Sequence, residues 1–378
     1  MPKQFFKGLN GLRFFAALLV VLTHTESMRK KNGLAHLSEF TIFNDGGLAV
    51  QFFFVLSGFL ITFLLLQEHD KTNDIHIGRF YMRRILRIWP LYYLLVFLGL
   101  VVVPFVLVPL LHIPYEMPFA IGTALPMYVF FLPNLVAALY APSMLYPLWS
   151  IGVEEQFYLF WAPVVKYFRK YLIVIFLSII ILKISLNIYL HESAPEHWLT
   201  HFVDTLQFEC MAIGGLGAWY VHRQSGMIRT AFFFTYFYQF FFTALLIAIL
   251  FFQKTIFESS QPQAYIYKVC FAQPWANLSI SLIFLYTILN VSLNSDSILK
   301  TENKVLHFLG EISYGVYMYH ILIVFGFITI LKRWLVGMDA FTASCILYPL
   351  IISTLVLVSW LSYRLFELPI LRYKKRFE

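Results

Sequence analysis

Charge is what this chain has least of. Only 13% of its 378 residues are charged, while 60% are hydrophobic. Soluble domains carry about 25% charged residues, so a soluble globular protein is excluded and a polytopic membrane protein is expected. Cysteine is almost missing. Cys210, Cys270 and Cys345 lie in or beside apolar stretches without metal or redox spacing, and they read as packing residues. No glycine-rich phosphate loop exists, so a bound nucleotide would be held by side chains and not by a backbone cradle. No repeat, low-complexity tract or appended soluble domain interrupts the pattern. The chain therefore reads as a single membrane-embedded domain, 1–378.

What remains is apolar and aromatic, with 41 Phe and 23 Tyr suited to lipid-facing and interfacial surfaces. The net charge of +8 sits mostly in short loops between apolar runs, so topology explains it and a nucleic-acid partner is not expected. Lys3 and Lys7 precede the first run as in a signal peptide. That run contains Arg13 and lacks a small-residue cleavage site, so it reads as a retained helix.

Stretches long enough to span are 9–28, 46–67, 88–110, 147–165, 171–190, 203–221, 230–252, 271–293, 305–331 and 340–362. An eleventh, 119–140, carries Pro126, Pro133 and Asn134. If it does not cross, twenty Lys and Arg fall on the side of the N-terminus and seven on the other, among them Arg29, with Lys183 left inside a helix. The positive-inside tendency then gives an all-α fold of about ten transmembrane helices with both termini cytoplasmic. Segment 119–140 becomes a re-entrant or interfacial helix on the outer side.

Ionisable residues inside these runs mark the candidate site. In GLNGLRFFAALLVVLTH, Arg13 and His24 share a helix face and stand roughly 16 Å apart along the axis. Such a pair is costly in a membrane unless it meets a cavity or partners. A snorkelling arginine and a hydrogen-bonded core histidine are the plainer alternative. In IGRFYMRRILRIWPLYY, Arg79, Arg83 and Arg87 form an i, i+4, i+8 stripe with Arg84 beside it. Anchoring accounts for some of these, but four arginines without a lysine favour bidentate binding of phosphates.

PLWSIGVEEQFYLFWAP places Trp149, Glu154 and Glu155 near the depth of His24, where a carboxylate can hold an imidazole in one tautomer. In GEISYGVYMYH, Tyr317 and His320 lie one turn apart, and His320 competes with His24 for the role of base. An interhelical hydrogen bond is its blander role. Ser57 has no base at a sensible local spacing, and Ser57–Gly58 reads as a place for close helix approach. His197 and His201 have metal-ligand spacing but no third ligand at motif distance, so no metal is expected.

With these blocks, FFFVLSGFLI and the terminal FELP in place, the chain resembles the acyltransferase-3 family of integral membrane O-acyltransferases over nearly its whole length. The resemblance implies transfer of an acyl group, most often acetyl, from cytoplasmic acyl-coenzyme A to an extracytoplasmic carbohydrate or cell-envelope glycan. It also implies a multi-pass protein of the bacterial cytoplasmic membrane. By resemblance His24 is the catalytic histidine with Arg13 its partner, Arg84 and Arg87 match the arginine pair near the coenzyme A site, and Glu154 is the glutamate of the tryptophan–serine block.

The expected mechanism docks the donor phosphates on Arg83, Arg84 and Arg87, with Arg79 on the same stripe. His24 acts as general base or transient acyl carrier, oriented by Glu154, and Arg13 holds the donor or the oxyanion. Glu155, Trp149, Tyr317 and His320 are expected on the acceptor side. Two-part members carry an extra soluble esterase-like domain that is lacking here, which leaves open whether the acyl group is handed onward. A homo-oligomer is left open. The competing class is a transporter or flippase of a lipid-linked precursor using the same buried charges without covalent change.

Overall fold

A computed structural model describes residues 6–112, 115–223, 232–257 and 275–377. Lys3 and Cys270, named above, and Arg229 and Lys268, two of the basic residues counted there, lie outside the described residues. Among these residues every regular element is helical. The main helices are α1 (Leu9–Lys31), α2 (Gly46–Thr72), α3 (Ile77–Phe97), α4 (Ile121–Val129), α5 (Pro133–Leu139), α6 (Leu148–Phe168), α7 (Leu172–Ser193), α8 (Trp198–Thr205), α9 (Phe208–Arg223), α10 (Tyr236–Phe257), α11 (Trp275–Leu293), α12 (Lys304–Glu311), α13 (Ser313–Leu335) and α14 (Ala340–Ser362).

Six helical stretches among the described residues are long and apolar enough to cross a membrane. Three run well beyond single expected spans, Ala340–Arg372 among them. Ile77–Leu110 continues α3 through a π-helical turn at Leu98–Leu107. Pro104 lies in that turn; a proline removes an i→i−4 bond and forces the neighbouring carbonyls to re-pair. Leu148–Ser193 runs for 46 residues, too long for one crossing of a core about 30 Å thick, and a 3-10 turn at Arg169–Tyr171 divides it into α6 and α7.

Four expectations need correction. Segment 119–140 is not one helix but two, α4 and α5, separated where Phe131 adopts φ +56° and restarted by Pro133 in the first turn of α5. Gln156 on α6 holds this break, donating to Phe131 O at 2.9 Å and to the buried Asn134 Oδ1 at 2.8 Å. The run 203–221 is likewise broken into α8 and α9, and 305–331 into α12 and α13. Finally, Arg29 is not an outer loop charge. Helix α1 carries it into a fully buried cluster, where it donates to Glu26 and Ser344 Oγ at 2.7 Å each and to Ala340 O at 3.0 Å. Tyr348 and the Leu37 N–H also bond to Glu26. This cluster ties the far end of α1, one turn beyond His24, to α14.

Helix α2 is the centre of the bundle. It is apolar on all faces and 78% of its spanning window is buried, as an all-round hydrophobic helix must be. Its closest neighbour is α9, and glycine explains the approach. A Cβ at Gly58 would fall 2.0 Å from Met211 O, and one at Gly214 would fall 2.0 Å from Val55 O. Backbone, not a flexible side chain, is the obstacle in both. Gly58→Ala is therefore expected to destabilise the bundle by about 3 kcal/mol, the upper end for overpacking, read as a lowered thermal unfolding midpoint in detergent. An unchanged midpoint would contradict the α2–α9 packing.

Candidate active site

Helices α1, α2, α3, α6 and α13 enclose a cavity of about 140 Å³. Sites for drug-sized ligands run to roughly 300–1,000 Å³, so this one takes a narrow arm or a small group and not a whole nucleotide. Its polar wall is cationic. Arg13, Arg84 and Arg87 face it together with a single carboxylate, Glu154. Arg13 donates to Asn10 Oδ1 at 3.2 Å, one turn back on α1. The Arg84 guanidinium lies 5.6 Å from the ring centres of both Phe80 and Tyr158, and its buried Nε makes no hydrogen bond. Arg87 is exposed and makes no hydrogen bond among the described residues. Tyr158 organises the opposite wall, donating to Glu154 at 2.9 Å and bonding to the Ser57 hydroxyl. Three guanidinium groups against one carboxylate give the wall the chemistry that suits an anion.

The arginine stripe of α3 therefore divides. Consecutive residues point about 100° apart on a helix. Arg84 and Arg87 reach the cavity, whereas Arg83 turns to Glu68 at 2.7 Å and to Phe377 O at 2.8 Å. Arg79 is exposed and lies off the cavity wall. Spacing alone made all four equivalent.

Neither histidine lines the cavity. His24, half-buried, places Nδ1 3.0 Å from Val20 O and 3.2 Å from Nε2 of His320. The two rings are 4.9 Å apart. His320 is fully buried and uses its Nδ1 on Tyr317 O. The Tyr317 ring, 5.7 Å from that of His320, is itself part of the cavity wall. Its hydroxyl meets Ser150 Oγ at 2.7 Å and donates to Pro147 O at 2.9 Å. The order from the arginines to His24 is thus cavity, Tyr317, His320, His24.

The expected contact between Glu154 and His24 is not made, because Glu154 is committed to the cavity and His320 stands where a carboxylate was looked for. Glu155 points away toward α3, where Trp89 Nε1 donates to it at 2.8 Å, and it is not on the cavity wall. Trp149 stands behind the wall, edge-on to Phe54 with ring centres 5.9 Å apart. Sequence reasoning did not name Tyr158 or Ser150 and gave Tyr314 no role beyond its place in GEISYGVYMYH, yet all three line the cavity. Tyr158 lies four residues after Glu154 on the same helix face, a signal that was legible. Ser57 is not placed as a nucleophile: beside the close helix approach at Gly58, its hydroxyl bonds to Tyr158 in the wall. His197, of metal-ligand spacing, accepts from the Leu199 N–H at 3.3 Å as the cap of α8.

Fold and site together define a helical membrane protein with an arginine-lined cavity next to a pair of histidines, one half-buried and one fully buried. The chain belongs to the acyltransferase domain family known as acyltransferase 3, whose profile matches residues 6–364. It is similar to a Bacillus subtilis protein provisionally named a peptidoglycan O-acetyltransferase, 34% identical over 42% of this chain and 23% of that protein. A Staphylococcus aureus protein provisionally named an O-acetyltransferase is 25% identical over 97% of this chain and 57% of its own length. The peptidoglycan O-acetyltransferase OatA of Listeria monocytogenes is 27% identical over 45% of this chain and 25% of its own length. The chain thus spans little more than half the length of the Staphylococcus aureus relative and about a quarter of the other two. No solved structure matches it.

Proposed function

We propose that this protein is a membrane O-acyltransferase that moves an acyl group, most readily acetyl, from acyl-coenzyme A to a hydroxyl of an extracytoplasmic glycan. The observation that carries the reading is the placing of three arginines around a narrow cavity whose far wall, Tyr317, leads to the His320–His24 pair. The family and the names of the relatives support it. In this reading the whole chain acts as one domain of the bacterial cytoplasmic membrane, with ten crossings and both termini inside. That topology puts Arg84 and Arg87 on the cytoplasmic side and His24 nearer the outside.

The donor phosphates meet Arg84 and Arg87, with Arg13 deeper on the same wall. Arg13 thus belongs to anion binding and not to an oxyanion at His24, roughly 16 Å further along α1. His24 takes the proton of the acceptor hydroxyl as its oxygen attacks the thioester carbonyl. The C–O bond forms and the C–S bond breaks. The proton passes from the imidazolium to the departing thiolate, leaving an ester and coenzyme A. An acyl-histidine route uses the same nitrogen and balances in two steps. No metal enters either route.

The direct test is the protein in proteoliposomes given acetyl-coenzyme A and soluble peptidoglycan fragments. Coenzyme A release matched by acetyl ester on the glycan is expected. Folded protein that releases no coenzyme A and acylates no hydroxyl would overturn the reading in favour of a translocase.

Tyr317 sharpens it. Its bonds to Ser150 and Pro147 close the wall between cavity and histidines, so the donor reaches His24 only when the ring moves. Tyr317→Phe removes the hydroxyl that closes the wall. It is expected to raise thioester hydrolysis relative to transfer by roughly tenfold, the worth of about one hydrogen bond. An unchanged ratio would mean that Tyr317 does not separate the two compartments.

A further inference from the structure

We infer that His320 is the positioning residue of this site: it holds His24 with its proton on Nδ1 and its lone pair on Nε2. The inference rests on the reading of His24 as base, and it goes beyond that reading by assigning the reacting nitrogen and the group that fixes it.

The assignment follows from what each partner can do. A backbone carbonyl only accepts a hydrogen bond. His320 Nδ1 lies on Tyr317 O, so that nitrogen carries the proton and, in a neutral ring, Nε2 carries the lone pair. His24 Nδ1 lies 3.0 Å from Val20 O, so it too carries a proton. The 3.2 Å contact between the rings is then the second branch of a three-centre hydrogen bond, in which the one His24 Nδ1–H is shared between Val20 O and His320 Nε2. Moving the proton of either ring to its other nitrogen leaves a carbonyl oxygen facing a lone pair. A doubly protonated His320 would set two N–H groups against each other at a fully buried position. One arrangement satisfies all the contacts. It leaves His24 Nε2 as the nitrogen with a free lone pair, on a ring that is only half-buried.

This arrangement performs the task of the orienting carboxylate in a hydrolase triad, with a neutral group in its place. When Nε2 takes a proton, charge spreads to Nδ1–H, and the bond to His320 becomes charge-assisted and stronger. A carboxylate at the position of His320 would be an expensive charge in the apolar bundle in every resting state, whereas an imidazole is not. That gives a physical reason for Glu154 to be absent from the histidine and present in the cavity, where guanidinium groups compensate it.

His320 is itself well held. Its carbonyl partner belongs to Tyr317, whose side chain is anchored to Ser150 and Pro147 O at the start of α6. Helix α13 thus carries the cavity wall on one residue and the orienting imidazole three residues later. At the far end of α1 the Arg29–Glu26 cluster fixes the register in which His24 meets it.

Three substitutions separate orientation from mere packing. His320→Gln sets a carbonyl oxygen near the place of Nε2 and still accepts from His24. His320→Asn keeps a donor for Tyr317 O but cannot reach His24. His320→Ala loses both. Each is reconstituted in proteoliposomes and assayed for acetyl-coenzyme A binding, for kcat and KM, and by nitrogen NMR of histidine-labelled protein, with the His24 signals assigned by their loss in His24→Ala.

The expected result is a fall in kcat of at least tenfold for His320→Ala and His320→Asn with KM for acetyl-coenzyme A within about twofold of wild type. His320→Gln is expected to recover kcat to within about threefold. His24 is expected as the Nδ1–H form in wild type and His320→Gln, and as a mixture in the other two. Should His320→Ala fail to fold, the Gln and Asn pair decides. Unchanged kcat and unchanged His24 signals in His320→Asn would overturn the inference. So would a folded, donor-binding His320→Gln as impaired as His320→Asn, because His320 would then exchange a proton itself. The NMR arm needs no donor, so a wild type with His24 in the expected form but no transfer activity would remove the acyl-transfer reading alone.

Discussion

Replacing His24 with alanine is expected to lower acetyl transfer by about 10²–10⁴-fold, the usual worth of a positioned general base, while leaving acetyl-coenzyme A binding within about twofold of wild type. The separation of effects comes from geometry. His24 lies off the wall of the arginine cavity, and nothing that faces the cavity bonds to its side chain. Its two contacts, Val20 O on its own helix and His320, are not donor-binding groups, so the bundle survives the loss of the ring with only a small void. Steady-state transfer and equilibrium binding on one reconstituted sample measure both. Transfer within threefold of wild type would remove His24 from the chemistry. Lost binding would place it on the donor instead.

The second large effect is expected from Arg84→Ala/Arg87→Ala. Both guanidinium groups face the cavity; the buried Arg84 Nε has no hydrogen-bond partner, and among the described residues none bonds to the exposed Arg87 head. Hydrogen bonds to charged groups contribute about 1.5–3 kcal/mol each. Losing two contacts therefore costs about 3 kcal/mol at the low end, on the order of a hundredfold in Kd for acetyl-coenzyme A. Arg79→Ala is the control from the same stripe: exposed and off the wall, it is expected to change Kd by less than about twofold. Equal losses in both variants would mean that the whole stripe acts as a diffuse positive surface. An unchanged Kd in the double variant would move the donor away from the cavity. Arg83→Ala is less informative, since removing it breaks the pair with Glu68 and frees the chain at Phe377.

Much of this was written in the sequence. Low charge and long apolar runs determine a helical membrane bundle, because in hydrocarbon a backbone must satisfy its own hydrogen bonds. The same cost of burying charge singles out Arg13, His24, Arg84, Arg87 and Glu154 as residues that need a reason to be there. The blocks in which they occur also placed the chain in its family. Helical spacing put Tyr317 and His320 on one face, and both belong to the route from cavity to His24.

The tertiary structure decided which of these residues meet. Sequence spacing gives angles around one helix axis, whereas the partner of His24 depends on how α1 and α13 dock. The imidazole at His320 and the carboxylate of Glu154 were therefore interchangeable until the helices were placed. The division of the α3 stripe likewise follows from neighbours: Glu68 draws Arg83 away while the cavity takes Arg84 and Arg87. The breaks at Phe131, between α8 and α9 and between α12 and α13 have the same cause, since a uniform apolar run does not record where Gln156 or a neighbouring backbone will interrupt it. Hydrophobicity is a property of the segment and fixes what must be buried. Contact is a property of pairs, and for residues nearly three hundred positions apart, such as His24 and His320, only the packed bundle specifies it.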